Sequence, residues 1–212
     1  MFGNWVTTLE AMYTQGVNGL FYENFALAGP QGTNREGRVV YGTSTTTPFS
    51  PTLKPGGRSQ VFAVSNQNKD HAYSFTAGIQ RRYFNNFEGS LFYTNTHAKD
   101  VQSFTSSTSF SQLRYGRVWG GNLLDKTATR STFEQRHRLI GQAMYTLRTK
   151  TDIGVIYMGE SGSPYSYVTS GDLNLDGLTD NDPVYVPNNA TDPTEMVFLT
   201  STFGGGSYTP AQ

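Results

Sequence analysis

The residues with the clearest chemical spacing are Asp172, Asn174, Asp176, Gly177 and Asp180. They fall at positions 1, 3, 5, 6 and 9 of a calcium loop of the EF-hand type, where oxygen ligands two residues apart converge because a glycine turns the chain. Leu178 would add a backbone carbonyl at position 7. Position 12 is Pro183, so the bidentate carboxylate is missing, and Asp182, one residue earlier, could substitute only by a changed path. Calcium is the cofactor that this pattern allows. Without a flanking helix it would be an isolated loop site of millimolar to micromolar affinity. The alternative is that Asp, Asn and Gly build a solvated turn that binds nothing.

Elsewhere the chemistry is sparse. His71, His97 and His137 have no close second ligand of the kind a zinc site needs, and read as rim or lumen side chains. Arg136 and Arg138 flank His137 and could pair with acidic groups on neighbouring positions, or simply end a strand in solvent. Gly159-Glu160-Ser161-Gly162 is not a nucleophile elbow, and no Walker loop or His-Glu-x-x-His is present. Tyr115 and Trp119 could stack against a substrate or pack loop against loop. The expectation is a protein that is not an enzyme.

The elements that must carry these residues follow from composition and periodicity. Of 212 residues, 36% are hydrophobic and 15% charged, with 13 Tyr, 14 Phe and 23 Gly, a balance poor in charge and rich in aromatics. Lys+Arg and Asp+Glu are 16 each, which gives no basic face for nucleic acid. Cysteine is absent, so thiolate chemistry, zinc clusters and disulfides are out of reach. No run approaches the roughly 18 apolar residues of a membrane helix, so a membrane protein of this composition must be a β-barrel. The start, Met1-Phe2-Gly3-Asn4-Trp5, lacks the basic and apolar regions of an export signal, and the natural chain is expected to begin further upstream.

Period-two alternation predicts strands. Trp5, Thr7, Leu9, Ala11 and Tyr13 face away from Val6, Thr8, Glu10, Met12 and Thr14. Tyr73 to Arg82 and Phe87 to Thr94 repeat the pattern and form a hairpin through Asn85-Asn86; Leu139 to Arg148 and Ile153 to Glu160 form another through Thr149-Lys150-Thr151. Phe92, Ile140, Met144, Ile156 and Met158 break the alternation and read as packing on the inner face. Residues 26–58, 104–130 and 170–200 read as long loops. Short and long connections that alternate in this way suit an outer-membrane barrel, with short periplasmic turns and long external loops. Tyr83, Phe84 and Phe87 would form part of an aromatic girdle. About five strands cannot close a barrel, since the smallest have about 8, so more strands are expected from a larger parent.

Several segments carry a resemblance to a known family. Thr8 to Asn18 followed by Leu20-Phe21-Tyr22-Glu23-Asn24 resembles a strand of the Oar-like TonB-dependent receptors. Similar stretches are Asn66-Gln67-Asn68-Lys69, Tyr73-Ser74, Gln80-Arg81-Arg82-Tyr83, Ala98-Lys99-Asp100, Arg136-His137-Arg138 and Ser161-Gly162-Ser163-Pro164-Tyr165. The most specific is Gly171-Asp172-Leu173-Asn174-Leu175-Asp176-Gly177 with Asn181-Asp182-Pro183-Val184-Tyr185-Val186-Pro187. These lie in order over residues 5–187; plug domain, TonB-box segment and aromatic terminal strand are not recognisable.

The resemblance implies an all-β fold: a partial antiparallel transmembrane β-barrel with long extracellular loops, in the outer membrane of a Gram-negative bacterium. Residues 1–200 would be a barrel segment and 201–212 a polar tail with disorder allowed. The implied function is energy-coupled import of a large or scarce extracellular ligand. Its partners would be outer-membrane lipid and a TonB complex reached through a plug region of the parent, with no nucleic acid. The alternative from another class is a secreted, calcium-stabilised β-sandwich for adhesion or carbohydrate binding. A sandwich would bury its apolar stripe against a second sheet. A barrel segment would leave Leu91, Tyr93, Leu139, Tyr145, Val155 and Tyr157 on one uncovered surface.

Overall fold

The computed structural model describes residues 5–34, 36–43, 51–56, 58, 60–84, 86–118, 122–189, 191–192, 195, 201–203 and 206–208, with backbone alone at 82–84 and beyond 200. In chain order the elements are β1 (Trp5–Gln15), β2 (Gly19–Asn24), β3 (Gly32–Thr33), β4 (Val39–Val40), β5 (Phe62–Gln67), β6 (His71–Phe84), β7 (Phe87–Asp100), α1 (Ser109–Tyr115), β8 (Thr129–Arg130), β9 (His137–Thr146), β10 (Asp152–Glu160), β11 (Ser201–Phe203) and β12 (Gly206–Tyr208).

The fold is all-β and antiparallel. Its main sheet has the order β1-β6-β7-β9-β10, with β8 added to the end of β7. These are the long segments whose alternation marks them as strands, and each places most of its apolar side chains on a common face, with Phe92, Ile140, Met144, Ile156 and Met158 on the other. Leu9 lies opposite Ala77, Ala77 opposite Tyr93, and Tyr93 opposite Leu139, so one row crosses four strands. The next row runs Thr7, Ile79, Leu91, Gly141, Tyr157.

The strands run up and down. β6 and β7 are joined at residues 85–86, where Asn86 has φ 65°, and β9 and β10 at 147–151, where Lys150 has φ 63°. Left-handed backbone is expected of tight hairpin turns. Asn85 and Trp119, and the side chains of Tyr83 and Phe84, lie outside the described residues. The other connections, 16–70 and 101–136, leave from the opposite end of the sheet, as does the chain after Glu160. The segment β2–β5 continues the β1–β6 ribbon beyond Gly16, whose N–H donates to the Asp70 carbonyl at 2.7 Å.

The apolar stripe of the sheet is uncovered. Leu91 is 48% exposed, Tyr145 47% and Val155 63%, with Tyr93 and Tyr157 exposed beside them and Leu139 half-buried. The buried hydrophobic side chains of the described residues lie off these five strands, in the connections. Leu27 and Tyr41 from the first connection meet Val118 and Leu123 from the second, with Val39 and Leu53 against them. Leu175 and Leu178 are buried in the third.

The opposite face mixes polar and apolar groups. The hydroxyls of Thr76 and Thr94 are 2.9 Å apart across two strands, Arg138 Nε pairs with Glu160 Oε1 at 3.0 Å, and the Phe92 ring occupies the space beside Gly78 where a Cβ would stand. Arg136 pairs with Glu134 at 3.2 Å, so both arginines beside His137 have acidic partners.

The stretches expected to be loops hold some regular structure: β3 pairs with β4, β8 with β7, and α1 occupies 109–115. Pairs of two residues carry no periodic signal. The seven residues of α1 bury Gln112 and Leu113, too little for a 3.6-residue stripe to show. Beyond residue 200, in the expected tail, β11 and β12 pair as a short hairpin.

Candidate functional site

The acidic loop closes on itself before any ion is considered. Val168 and Pro183 form an isolated bridge; Thr169 N–H donates to the Asp182 carbonyl at 3.0 Å and Val184 N–H to the Tyr167 carbonyl at 3.0 Å. Inside that neck, short side-chain oxygens collect backbone donors. Asp172 Oδ1 accepts from Asp176 N at 3.0 Å and its Oδ2 from Gly177 N at 2.8 Å. Asn174 Oδ1 accepts from Asp176 N at 3.1 Å, and Asp176 Oδ1 from Leu178 N at 2.7 Å. The turn requires left-handed backbone at Gly177, φ 85°, as a glycine at the sixth position of such a loop would supply.

Of the sequence-predicted ligands, the structure brings Asp172, Asn174 and Asp176 together and buries all three. Leu178 gives its N–H to Asp176 and buries its side chain. Asp180 is drawn away: its Oδ2 takes Nε and Nη2 of Arg114 at 3.1 and 2.9 Å. Asp182 is fully buried but serves the frame. Its Oδ2 accepts from Leu173 N at 2.8 Å and Asn174 N at 3.3 Å, and its Oδ1 accepts Arg38 Nη1 at 3.0 Å. Arg38 Nη2 also donates to the Pro183 carbonyl at 2.8 Å.

Two residues that were not among the expected ligands complete the cluster. Asn181 is fully buried and donates Nδ2 to Asp176 Oδ2 at 2.9 Å, beside Asn174 Nδ2 at 3.1 Å. Its signal was its place next to the aspartate run. Arg38 arrives from the first connection and leaves no trace in local spacing.

Electrostatics follow from this crowding. Burial pushes the Asp176 carboxyl up to about 7, helped by the Asp172 charge and opposed by the Asn174 and Asn181 amides and the Leu178 N–H. Burial also raises Asp172, against the N–H groups of Gly177 and Asp176, with the Asp182 charge adding to the rise. Asp180 is lowered by its hydrogen bond from Arg114. Among the described residues no three Asp, Glu, His or Cys side chains are placed to hold a metal ion; here two carboxylates lie beside two amides, whose Nδ2 groups both face Asp176 Oδ2.

The histidines are accounted for separately. His137 Nδ1 lies 2.7 Å from Tyr93 Oη, His97 stacks on Tyr73 at 4.9 Å, and His71 Nδ1 lies 2.8 Å from the Lys69 carbonyl. Tyr115 is exposed and carries the Arg114 guanidinium 5.4 Å from its ring.

A cavity of about 490 Å³ opens between the first and second connections, with Phe21, Asp100, Gln102, Gln112, Arg117 and Asn122 in its wall. Its amides are already engaged: Gln112 Oε1 accepts from Thr105 N at 3.0 Å, and Gln102 Nε2 donates to the Tyr22 carbonyl at 2.9 Å. No protein-family model, curated protein or solved structure matches the chain.

Proposed function

We propose that the chain is a segment of an outer-membrane β-barrel of the TonB-dependent receptor type, which imports a large or scarce extracellular ligand by energy coupling. One observation carries this proposal: a five-stranded sheet whose apolar, aromatic-rich face is uncovered, while the buried hydrophobic side chains sit in the connections at one end. In water such a face would be a liability. Against hydrocarbon it is the surface a barrel wall presents.

The arrangement along the strands supports the same assignment. Trp5, Phe87 and Tyr145 lie toward the short-turn end of this face and Tyr13, Tyr73 and Phe75 toward the other, with Leu9, Ile79, Leu91 and Leu139 between. Tyr93 and Tyr157 lie in the aliphatic zone, so the bands are incomplete. The eight steps from Trp5 to Tyr13 span about 27 Å at about 3.4 Å per residue, and with strand tilt this is near the roughly 25 Å apolar band of a barrel. β1 and β10 each have one neighbour in this sheet, so an outer edge remains on each for a further strand. Unpaired backbone groups in lipid cost several kcal/mol each, so both edges need partners. Coupling to a TonB complex would run through a plug region of the parent protein, and the folded connections would face the extracellular ligand. The secreted sandwich gains no support, because no second sheet covers the stripe among the described residues.

Because the chain has no cysteine, single Cys substitutions report on membrane exposure without background. Leu91→Cys and Val155→Cys, in native membranes, are expected to resist a water-soluble maleimide until the protein is unfolded in denaturant, because a thiol in hydrocarbon does not ionise to the reactive thiolate. Ser90→Cys and Gln142→Cys on the opposite face should label without unfolding. Equal labelling of the two sets, or recovery of the protein outside the membrane fraction, would sink the proposal.

A further inference from the structure

We infer that Asp172, Asn174, Asp176 and Asn181 form a calcium site that fixes the third connection against the first. The inference rests on the loop alone and stands whether or not the sheet spans a membrane.

The loop carries four aspartates, and they divide by partner. Asp180 has Arg114 and Asp182 has Arg38. Asp172 and Asp176 have uncharged donors: the N–H groups of Asp176 and Gly177 on one, the Leu178 N–H and two amides on the other. Two buried carboxylates in one cluster therefore carry charge that no arginine or lysine balances among their hydrogen-bond partners. A divalent cation matches that charge.

Asn181 gives the independent indication. It is fully buried, its amide head touches Asp176 Oδ2, and its Oδ1 accepts from no donor among the described residues. Turning the amide over does not satisfy it, because Oδ1 would then oppose a carboxylate oxygen and Nδ2 would be stranded. A cation between them resolves both orientations at once: the amide oxygen and the carboxylate oxygen become ligands to the same charge. Asn174 differs: its Nδ2 also donates to Asp176 Oδ2, but its Oδ1 already accepts the Asp176 N–H, so Asn181 alone carries the unpartnered oxygen.

The donors are all hard oxygens, which suits calcium or magnesium and disfavours zinc. Calcium is favoured because two carboxylates and two amides on a loop leave an irregular set completed by water, and magnesium demands near-octahedral geometry. A recess of about 380 Å³ lined by Ser170, Gly171, Asp172, Gly177 and Thr179 reaches the cluster and gives the ion and its remaining waters a path. The Asn174 carbonyl accepts the Tyr41 N–H at 2.7 Å, so ordering the loop also orders its contact with the first connection.

Isothermal titration of the EDTA-stripped full chain with calcium chloride tests this. One ion per chain is expected, with Kd between about micromolar and millimolar and magnesium at least about tenfold weaker. Asp176→Asn should weaken binding about tenfold or more, and Asn181→Asp, which adds a carboxylate, should tighten it about tenfold. Asp180→Ala should leave Kd within about threefold, since that carboxylate belongs to Arg114. Absence of saturable calcium heat in the folded chain overturns the inference. If Asp176→Asn does not fold, Asn181→Asp decides alone, and an affinity no tighter than that of the unsubstituted chain overturns the assignment.

Discussion

Removal of Arg38 tests how the connections are held together. Arg38 is buried, and its guanidinium reaches a fully buried Asp182 at 3.0 Å and the Pro183 carbonyl at 2.8 Å. In Arg38→Ala, Asp182 keeps the Leu173 and Asn174 N–H groups on Oδ2 but loses the cation on Oδ1. Breaking a buried ion pair from one side costs about 3–5 kcal/mol, because the remaining charge stays desolvated. Arg38 is 8% exposed, so water can enter the space it leaves, and the lower end applies. About 3 kcal/mol corresponds to roughly a 10²-fold rise in the open population, at about 1.36 kcal/mol per decade. Limited proteolysis reads that population directly when reclosing outpaces cleavage. Cleavage within residues 161–192 should accelerate about 10²-fold, while β9 and β10 stay intact. The double variant Arg38→Ala, Asp182→Ala should fall well short of the sum of the singles. Arg114→Ala should change the rate little, since its pair with Asp180 is solvent-screened. Cleavage of Arg38→Ala within about threefold of the unsubstituted rate, or strict additivity in the double variant, would refute the clamp.

Three further outcomes are expected. Tyr41→Phe removes a 2.7 Å hydrogen bond from a fully buried hydroxyl to Asn122 Oδ1, and should cost about 1 kcal/mol, measured by the same protease assay. Gly78→Val would drive its Cβ into the Phe92 ring and should destabilise the sheet by about 1–3 kcal/mol, seen as a lower temperature for loss of the folded band on a gel; Phe92→Ala in the same chain should restore much of it. Burial tends to raise the Glu134 carboxyl, but the Ala98 N–H and the Arg130 and Arg136 guanidinium groups outweigh it and hold the group below its ordinary value. A carboxyl depressed by folding contributes stability that is present above its unfolded pKa and is lost as pH falls through the folded one. Protection of residues 96–136 from an acid-active protease should therefore decline below about pH 4, and Glu134→Gln should flatten that decline.

The long strands were legible because period two persists across nine to fourteen residues in β1, β6, β7, β9 and β10, and one face has to be apolar throughout. The interior of the connections was not. Leu27, Tyr41, Val118 and Leu123 come from turn-rich stretches with no shared period, and only the folded chain places them in one cluster. The loop at 172–182 was half legible for a related reason. Its backbone turns are set by local spacing and appear as expected. The fates of Asp180 and Asp182 are set by arginines 66 and 144 residues away, which spacing cannot reveal.

The placement of the core has a mechanical consequence. The sheet is secured by a continuous backbone ladder over five strands, so loss of one side chain leaves many bonds in place. The connections have a small apolar cluster and depend on buried polar contacts between distant segments. Arg38 reaches Asp182, Glu134 Oε2 accepts the Ala98 N–H at 2.9 Å, Gln102 holds both the N–H and the carbonyl of Tyr22 at 2.9 Å, and Asp100 takes Ser131 at 2.6 Å. Each joins residues at least 31 positions apart, so each closes a large loop at one point. Polar contacts of this kind are directional and all-or-none, and losing one partner strands the other. Single substitutions in the connections should therefore release whole segments while the sheet persists. A ligand, proton or cation that acts at one of these points has the leverage to open or fix that end of the molecule without disturbing the sheet.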